Sequence, residues 1–191
     1  MKKLFFLLFL TLVLLTGCAQ EENATVNDNS KDEKIVNDFL TNNTLDDNPT
    51  YKNNRFYVFT EDGKYAHYYG SRIVFSSDDN IYISVGKYNY SNSVLTLNQE
   101  FIYNQKYDKD NNTFNIEKKD IKQVYTYNNF ELVTKERTKE NIVYVSGNGI
   151  RLEKKNDNVP KELVNQIKEY LKNDFSDFDF NKLKGLEEYE K

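Results

Sequence analysis

The middle of the chain, from about residue 54 to residue 155, consists of short runs rich in tyrosine, phenylalanine, valine, isoleucine and threonine. Within a run apolar and polar residues alternate: Ile81, Ile83 and Val85 are separated by Tyr82 and Ser84. A period of two places successive side chains on opposite faces of a β-strand, one of which packs on a core. The predicted strands are Arg55 to Thr60, Tyr65 to Tyr69, Arg72 to Ser76, Ile81 to Tyr88, Val94 to Leu97, Phe101 to Lys106, Thr113 to Glu117, Gln123 to Tyr127, Phe130 to Lys135, Ile142 to Ser146 and Ile150 to Lys154.

The segments between these runs have the composition of tight turns. They contain residue types that tolerate a positive φ. No run of helical length separates the strands, which disfavours a parallel α/β sheet. We therefore predict a mainly β fold in which an antiparallel up-and-down meander forms a barrel or half-barrel. The turn segments are Asp62-Gly63, Asp78-Asp79-Asn80, Asp110-Asn111-Asn112, Asn128-Asn129 and Gly147-Asn148-Gly149.

Two amphipathic helices are predicted to flank the strands. Ser30 and Glu33 have the spacing of a capping box, and an apolar stripe follows, which predicts a short helix from about residue 31 to 41. Pro160 is suited to open a second helix, whose stripe includes Leu163 and Ile167 while Lys168 is placed on the solvent face. The remaining stripe residues are Ile35, Val36, Phe39 and Leu40 in the first helix and Val164, Tyr170 and Leu171 in the second.

The N-terminus has the pattern of a secretory signal. Lys2 and Lys3 precede the apolar run from Leu4 to Leu15, which is shorter than the roughly 20 residues of a membrane-spanning helix. The residues that follow, Leu15-Thr16-Gly17-Cys18, resemble the lipobox of bacterial lipoproteins. This resemblance implies cleavage between Gly17 and Cys18 and attachment of diacylglycerol to the Cys18 thiol. Two acyl chains give stable membrane anchoring, so we expect the protein on the outer face of the cell membrane, with the membrane as its partner through the lipid.

These patterns divide the chain into four parts. Residues 1–17 are the expected signal peptide, and residues 18–29 the lipidated cysteine with a polar, flexible tether. Residues 30–180 form a single β-rich domain with its flanking helices, and residues 181–191 a polar tail. In the segment after the second helix we expect Phe175, Phe178 and Phe180 to dock on the domain and the last residues to fray.

Several hairpin segments have sequence patterns that resemble those of a known fold. A strand ending in Asp62-Gly63, a Gly-x-Tyr strand at Gly86 to Tyr88 and a Leu-x-Leu strand at Leu95 to Leu97 resemble bacterial lipocalin-like domains. The late segment from Gly149 to Glu153 is similar to the closing strand of those domains. The resemblance implies a small antiparallel barrel or a strongly curved sheet. Classical lipocalins carry a Gly-x-Trp motif, whereas this chain has no tryptophan.

Composition narrows the classes of function. The net charge is −4 with scattered lysines, which argues against nucleic acid as a partner. Cys18 is the only cysteine, so no intramolecular disulfide forms and no Cys-His catalytic pair exists. His67 is likewise the only histidine, which excludes a histidine cluster for zinc and a histidine relay. We read it as a strand residue flanked by tyrosines rather than as a general base, and we predict neither enzymatic activity nor a cofactor.

One acidic segment has part of the spacing of a calcium loop. Asp108, Asp110 and Asn112 are spaced by two, as in the first positions of such a loop. The sixth position is Thr113 rather than glycine, and the twelfth is Lys119 rather than glutamate. We interpret the segment as a solvated hairpin tip and predict no metal site.

The aromatic content is the remaining unusual feature, with 15 tyrosines and 13 phenylalanines. Tyrosine provides apolar area together with a hydroxyl, which suits a ligand pocket, but it is also an ordinary strand residue. The first hypothesis is a binding protein for a small amphipathic molecule or a peptide. The alternative is a protective or interaction lipoprotein, as in bacteriocin immunity or surface exclusion. A carboxylate enzyme such as a glycoside hydrolase is the weakest hypothesis, because no carboxylate pair is recognisable.

Overall fold

The computed structural model describes residues 28–47, 54–71, 80–108, 113–137, 140–155, 159–173, 179 and 182–184. These residues form nine strands and two helices of significant length. The helices are α1 (Asp28–Asn42) and α2 (Lys161–Lys172). The strands are β1 (Leu45–Asp46), β2 (Asn54–Phe59), β3 (Lys64–Ser71), β4 (Asn80–Ser91), β5 (Val94–Asp108), β6 (Thr113–Asn128), β7 (Glu131–Arg137), β8 (Glu140–Gly147) and β9 (Ile150–Lys154).

All nine strands belong to one antiparallel sheet with the order β6-β5-β4-β3-β2-β1-β9-β8-β7. Strands β2 to β6 form one meander and β7 to β9 another, while the two-residue strand β1 pairs with both β2 and β9 and joins them. The prediction of a mainly β, antiparallel fold is therefore confirmed. The short strand β1 is not predicted, because two residues show no alternation that a sequence pattern can detect.

The sheet is not closed, since no ladder joins its edge strands β6 and β7 within the described part of the chain. These two edges are nevertheless consecutive in sequence and are connected by Asn129 and Phe130. The backbone N–H of Phe130 donates to Ser93 O at 2.8 Å, and that of Asn148 donates to Asn128 O at 2.8 Å. The connection is thus bonded to the hairpin turns β4–β5 and β8–β9.

The core consists of two clusters on opposite faces of the sheet. Alternate residues of β2 show the division: Phe56 and Val58 belong to one cluster, and Tyr57 and Phe59 to the other. The first cluster, which we call the α2 cluster, is covered by Leu163, Ile167, Leu171 and Leu183. The second, the α1 cluster, is covered by Val36 and Leu40 and also contains Leu45, Tyr65, Tyr88, Tyr90, Leu95, Leu97, Phe130, Val145 and Leu152.

Two predicted pairs of strands are single long strands in the structure. The break expected between Leu97 and Phe101 is a register shift between Gln99 and Phe101 of β5, and β6 likewise runs unbroken through Lys118 to Lys122. At this bulge the β4–β5 register shifts between Val85 and Gly86. A Cβ at Gly86 would overlap the backbone of Asn98, so this close approach requires glycine.

The described turns use the left-handed residues that the sequence indicates, at Gly63 (φ 78°), Asn129 (φ 53°) and Gly149 (φ 92°). The β4–β5 turn at Asn92 and Ser93, with φ of 51° and 56°, is not among the predicted turns. Asparagine tolerates a positive φ because its short side-chain amide forms hydrogen bonds with the nearby backbone, whereas serine is a weaker sequence indicator of such a turn.

Helix α1 begins at Asp28, two residues before the expected cap at Ser30. The capping-box interpretation is wrong, because Ser30 lies inside the helix and not at its N-cap. Glu33 Oε1 accepts from the backbone N–H of Asn92 at 2.7 Å. Val36 and Leu40 are buried as expected, but Ile35 is 40% exposed. The carboxylate of Glu33 therefore ties α1 to the β4–β5 turn.

Helix α2 buries Leu163, Ile167 and Leu171, in agreement with its predicted stripe. Pro160 lies at the N-cap and not inside the first turn. At the other end Lys64 Nζ donates to the carbonyl oxygens of Lys172 and Asn173 at 3.1 and 3.3 Å, which satisfies groups that a helix C-terminus leaves unpaired.

Some predictions concern residues outside the described part of the chain. Among these are the signal peptide, Gly17 and Cys18, the strand at Arg72 to Ser76, and the docking of Phe175, Phe178 and Phe180. Of the C-terminal segment the structure places Leu183, which is 7% exposed in the α2 cluster. Lys184 N donates to Gln166 Oε1 at 2.9 Å, so this segment contacts α2.

Candidate functional site

Polar and aromatic side chains share one face of β2, β3 and β4, on the side of the α1 cluster. The register places Arg55 opposite Tyr69, and Tyr69 opposite Tyr82 on the next strand. In the neighbouring row Tyr57 lies opposite His67. Directly opposed residues of an antiparallel pair have their side chains on the same face. We call Asp47, Arg55, Tyr57, His67, Tyr69 and Tyr82 the polar aromatic patch.

The rings of the patch form two parallel stacks. Tyr57 and His67 have ring centroids 4.0 Å apart and planes 3° from parallel, and Tyr69 and Tyr82 have centroids 4.7 Å apart and planes at 19°. His67 also meets Tyr69 and Tyr82 edge to face at 6.5 and 6.4 Å. Tyr57 is buried, whereas the other three rings are half-buried. Their mutual contacts fix the ring orientations while part of their surface remains accessible.

Arg55 and Asp47 place one positive and one negative charge beside these rings. Arg55 Nη2 donates to Tyr69 Oη at 2.7 Å, and its guanidinium carbon lies 4.0 Å from the centroid of the Tyr69 ring. Arg55 Nη1 and Asp47 Oδ1 are 3.9 Å apart, which is too long for a hydrogen bond. The two side chains are 26% and 23% exposed. The ion pair is thus loose although it is largely removed from water.

His67 carries a buried polar atom without a partner. Its Nε2 has no hydrogen bond among the described residues. Burial, together with the positive charge of Arg55, lowers the pKa of His67 to about 3. The imidazole is therefore neutral at physiological pH, and its nitrogen remains available to donate or accept one hydrogen bond.

Asp47 carries a second such atom, since its Oδ1 is buried and has no hydrogen bond in the described ranges. Burial raises the pKa of Asp47 despite the opposing charge of Arg55. Burial likewise raises the pKa values of Tyr57 and Tyr82, and the negative charge of Asp47 adds to both shifts. The carboxylate is thus close enough to act on both of these tyrosines of the patch and is incompletely compensated by its arginine.

The acidic residue next to Asp47 forms a close, buried ion pair. Lys155 Nζ donates to Asp46 Oδ2 at 2.8 Å, and the two side chains are 1% and 4% exposed. This pair lies where β1 meets the end of β9, so it links the two meanders of the sheet. Asp47 and Arg55 are therefore the charges of this region that no close ion pair compensates.

Of the residues that the sequence singles out, the structure brings one into this patch. His67 lies in it, in contact with three tyrosines, which is consistent with its interpretation as a strand residue. Asp110 and Asn112 of the calcium-like segment lie outside the described residues. In the part of the chain that the structure covers, no three His, Cys, Asp or Glu residues are grouped to hold a metal. Its helices are all too short or too polar to cross a membrane.

Sequence reasoning missed Asp47, Arg55 and Tyr82 as members of a site. Asp47 is separated from Tyr82 by 35 positions, and only the strand register brings them together. One signal was present: at Arg55, Tyr57, His67 and Tyr69 polar or amphipathic residues occupy one face of a hairpin. Polar groups buried in this way are a departure from an apolar core, and they mark the face as a candidate site.

Three comparisons with known proteins find no relative. No protein-family model matches the chain, and neither a curated protein nor a solved structure is similar enough to match.

Proposed function

We propose that the protein is a lipid-anchored extracytoplasmic binding protein whose polar aromatic patch binds a small amphipathic molecule or a peptide. The observation that supports this most strongly is a pair of buried atoms among stacked rings, Asp47 Oδ1 and His67 Nε2, which have no hydrogen bond to any described residue. A buried polar atom without a hydrogen bond costs about 1 to 3 kcal/mol. A ligand that supplies the missing bonds recovers this free energy on binding.

The tyrosines suit the apolar part of such a ligand. Tyr69 and Tyr82 form a half-buried stack, so their outer surfaces provide contact area without large losses of side-chain entropy. Arg55 packs on one side of this stack and reduces the freedom of the Tyr69 ring. The patch thus combines rigid apolar surface with a few directed polar groups, which is the usual composition of a small-molecule site.

The shape proposed for the sheet is a half-barrel of the lipocalin-like type. The support for this is that edge strands β6 and β7 are consecutive and are bonded at their connection to both neighbouring turns. We place the face of the α1 cluster on the interior of this half-barrel, because that cluster contains residues of both meanders, such as Tyr65 and Leu152. The patch then lies on the part of the interior face that the apolar residues of the α1 cluster do not fill.

The anchor is proposed at Cys18, with cleavage after Gly17, on the resemblance of Leu15 to Cys18 to a lipobox. The protein would then remain on the outer face of the membrane and meet its ligand outside the cell. The proposal assigns no catalytic residues, no metal and no cofactor.

A protective or interaction lipoprotein is the alternative function. The observation that favours it is the exposed apolar surface of edge strand β6, where Val124 is 63% and Ile121 37% exposed. Lysines on the same strand, among them Lys118 and Lys122, oppose strand addition at this edge. We therefore rank ligand binding first.

Native mass spectrometry of the full chain, extracted from its own membrane in mild detergent, tests the proposed function. We expect a small-molecule or peptide adduct on the wild-type protein and its loss from Tyr69→Ala. The matched control is Tyr144→Ala. Tyr144 also packs against an arginine, since Arg151 lies 3.9 Å from the centroid of its ring, but this pair is on β8 and β9, outside the patch. Wild-type protein without an adduct, or an adduct that survives Tyr69→Ala unchanged, would contradict binding at the patch.

A further inference from the structure

The charged groups of the patch have unused hydrogen-bonding capacity of opposite kinds. In the described structure the guanidinium of Arg55, which has five N–H groups, makes a hydrogen bond to Tyr69 Oη only. Asp47 Oδ1 has none. The patch therefore offers a set of donors and, 3.9 Å away, an acceptor.

A ligand can use both groups without breaking a hydrogen bond within the protein, because Arg55 and Asp47 are too far apart to form one. A purely anionic ligand would bind Arg55 but approach the Asp47 carboxylate. A purely cationic ligand would bind Asp47 but approach the guanidinium. A group that carries both charges side by side meets neither repulsion.

We propose that the patch recognises a zwitterion, an α-amino acid with an aromatic or apolar side chain, whose carboxylate binds Arg55 and whose ammonium group binds Asp47. This inference rests on the proposed function and specifies its ligand. The two charged groups of an α-amino acid are attached to a single carbon atom, which matches the short separation of Arg55 from Asp47. Charge-assisted hydrogen bonds to arginine and to a carboxylate are the strong class.

The surroundings of the pair agree with this ligand class. The neighbouring Asp46 is paired with Lys155 at 2.8 Å, so the charges of the patch that lack a close ion pair are one cation and one anion. The stacked Tyr69 and Tyr82 lie beside Arg55 and offer apolar surface to the amino acid side chain. His67 Nε2 remains for a further hydrogen bond to the zwitterion.

Isothermal titration calorimetry of the full chain in detergent tests the proposal with three probes of similar shape. These are L-phenylalanine, phenethylamine, which lacks the carboxylate, and 3-phenylpropanoate, which lacks the amine. We expect L-phenylalanine to bind at least about tenfold more tightly than either of the others, since each lacks one charge-assisted contact. Equal affinities for the three probes, or binding of one singly charged probe more tightly than L-phenylalanine, would overturn the proposal.

Two variants assign the contacts. Asp47→Asn is expected to reduce the affinity for L-phenylalanine to that for 3-phenylpropanoate, and Arg55→Gln to that for phenethylamine. Arg151→Gln, in the other arginine–tyrosine pair, is the control and should leave all three affinities unchanged. If none of the probes binds while the native protein carries an adduct, the amino acid proposal fails and the proposed function stands. If the adduct is also absent, both fail.

Discussion

Lys168 Nζ on α2 donates a hydrogen bond to the backbone carbonyl oxygen of Thr41, 2.8 Å away near the end of α1. Its burial lowers the pKa of Lys168. The sequence placed this lysine on the solvent face of α2, and that interpretation is wrong. The hydrogen bond links the two helices although they cover opposite faces of the sheet.

Lys168→Ala is therefore expected to destabilise the protein by about 1 kcal/mol, because the Thr41 carbonyl loses its partner. In a domain of this size that corresponds to a decrease in Tm of about 2 to 4 °C. Thermal denaturation followed by circular dichroism measures it. Lys161→Ala, at an exposed position of the same helix, should change stability by less than about 0.5 kcal/mol. Ile167→Ala, which truncates a core residue of the same helix, should lower the free energy of unfolding by about 2 to 5 kcal/mol. Equal Tm values for Lys168→Ala and Lys161→Ala would contradict a stabilising hydrogen bond between Lys168 and Thr41.

Gly86→Ala tests the close approach of β4 and β5. The added methyl group meets the backbone of Asn98 rather than a movable side chain, so the strands must separate at the bulge. Overpacking of this kind costs about 1 to 3 kcal/mol. Asn89→Ala, at an exposed position of the same strand, serves as the control in urea unfolding. An unfolding midpoint for Gly86→Ala equal to that of the control would be inconsistent with the described register.

The strands and α2 could be predicted because their signals are local. The alternation in Ile81 to Val85 and the spacing of Leu163 and Ile167 depend only on which face is buried. The continuity of β5 and β6 was missed, because a bulge and an exposed edge strand carry polar residues that resemble a turn. The patch could not be predicted for a different reason. Arg55 pairs with Tyr69, and Tyr69 with Tyr82, only through the register of three strands, which the pattern within each strand does not specify.

Asp47 and Asp62 should affect stability in opposite directions. Burial raises the pKa of Asp47, so its ionised form costs folding free energy at neutral pH. Asp47→Asn is expected to raise the Tm at pH 7, and this gain should vanish as the pH falls through the pKa of Asp47 and the wild-type carboxyl becomes protonated.

A hydrogen bond with the Thr60 side chain lowers the pKa of Asp62, so its ionised form is favoured in the folded state. Asp62→Asn is expected to lower the Tm at pH 7, and the difference should disappear as the pH falls through the lowered pKa. Thermal denaturation of both variants across the acid range measures the two effects. A lower Tm for Asp47→Asn at pH 7 would show that Asp47 is better compensated than its surroundings indicate, and a higher Tm for Asp62→Asn would contradict the stabilising role of that carboxylate.

The proposed anchor at Cys18 predicts fatty-acid labelling. Cells given radiolabelled palmitate should transfer label to the wild-type protein and not to Cys18→Ala, since the thiol is the expected acceptor. Equal labelling of both proteins would place the lipid elsewhere. Complete absence of label from the wild type would remove the proposed anchor.

The most direct measurement of ligand binding at the patch uses the only histidine of the chain. In protein labelled with ¹⁵N, the ring nitrogen signals of His67 report on this site alone. We would record them for protein from its own membrane, after unfolding, dialysis and refolding, and after return of the dialysed small molecules. We expect the signals to move on removal and to return on addition, because the ligand supplies the missing partner of Nε2. Signals that are the same in all three samples, with an unchanged circular dichroism spectrum, would contradict binding at the patch.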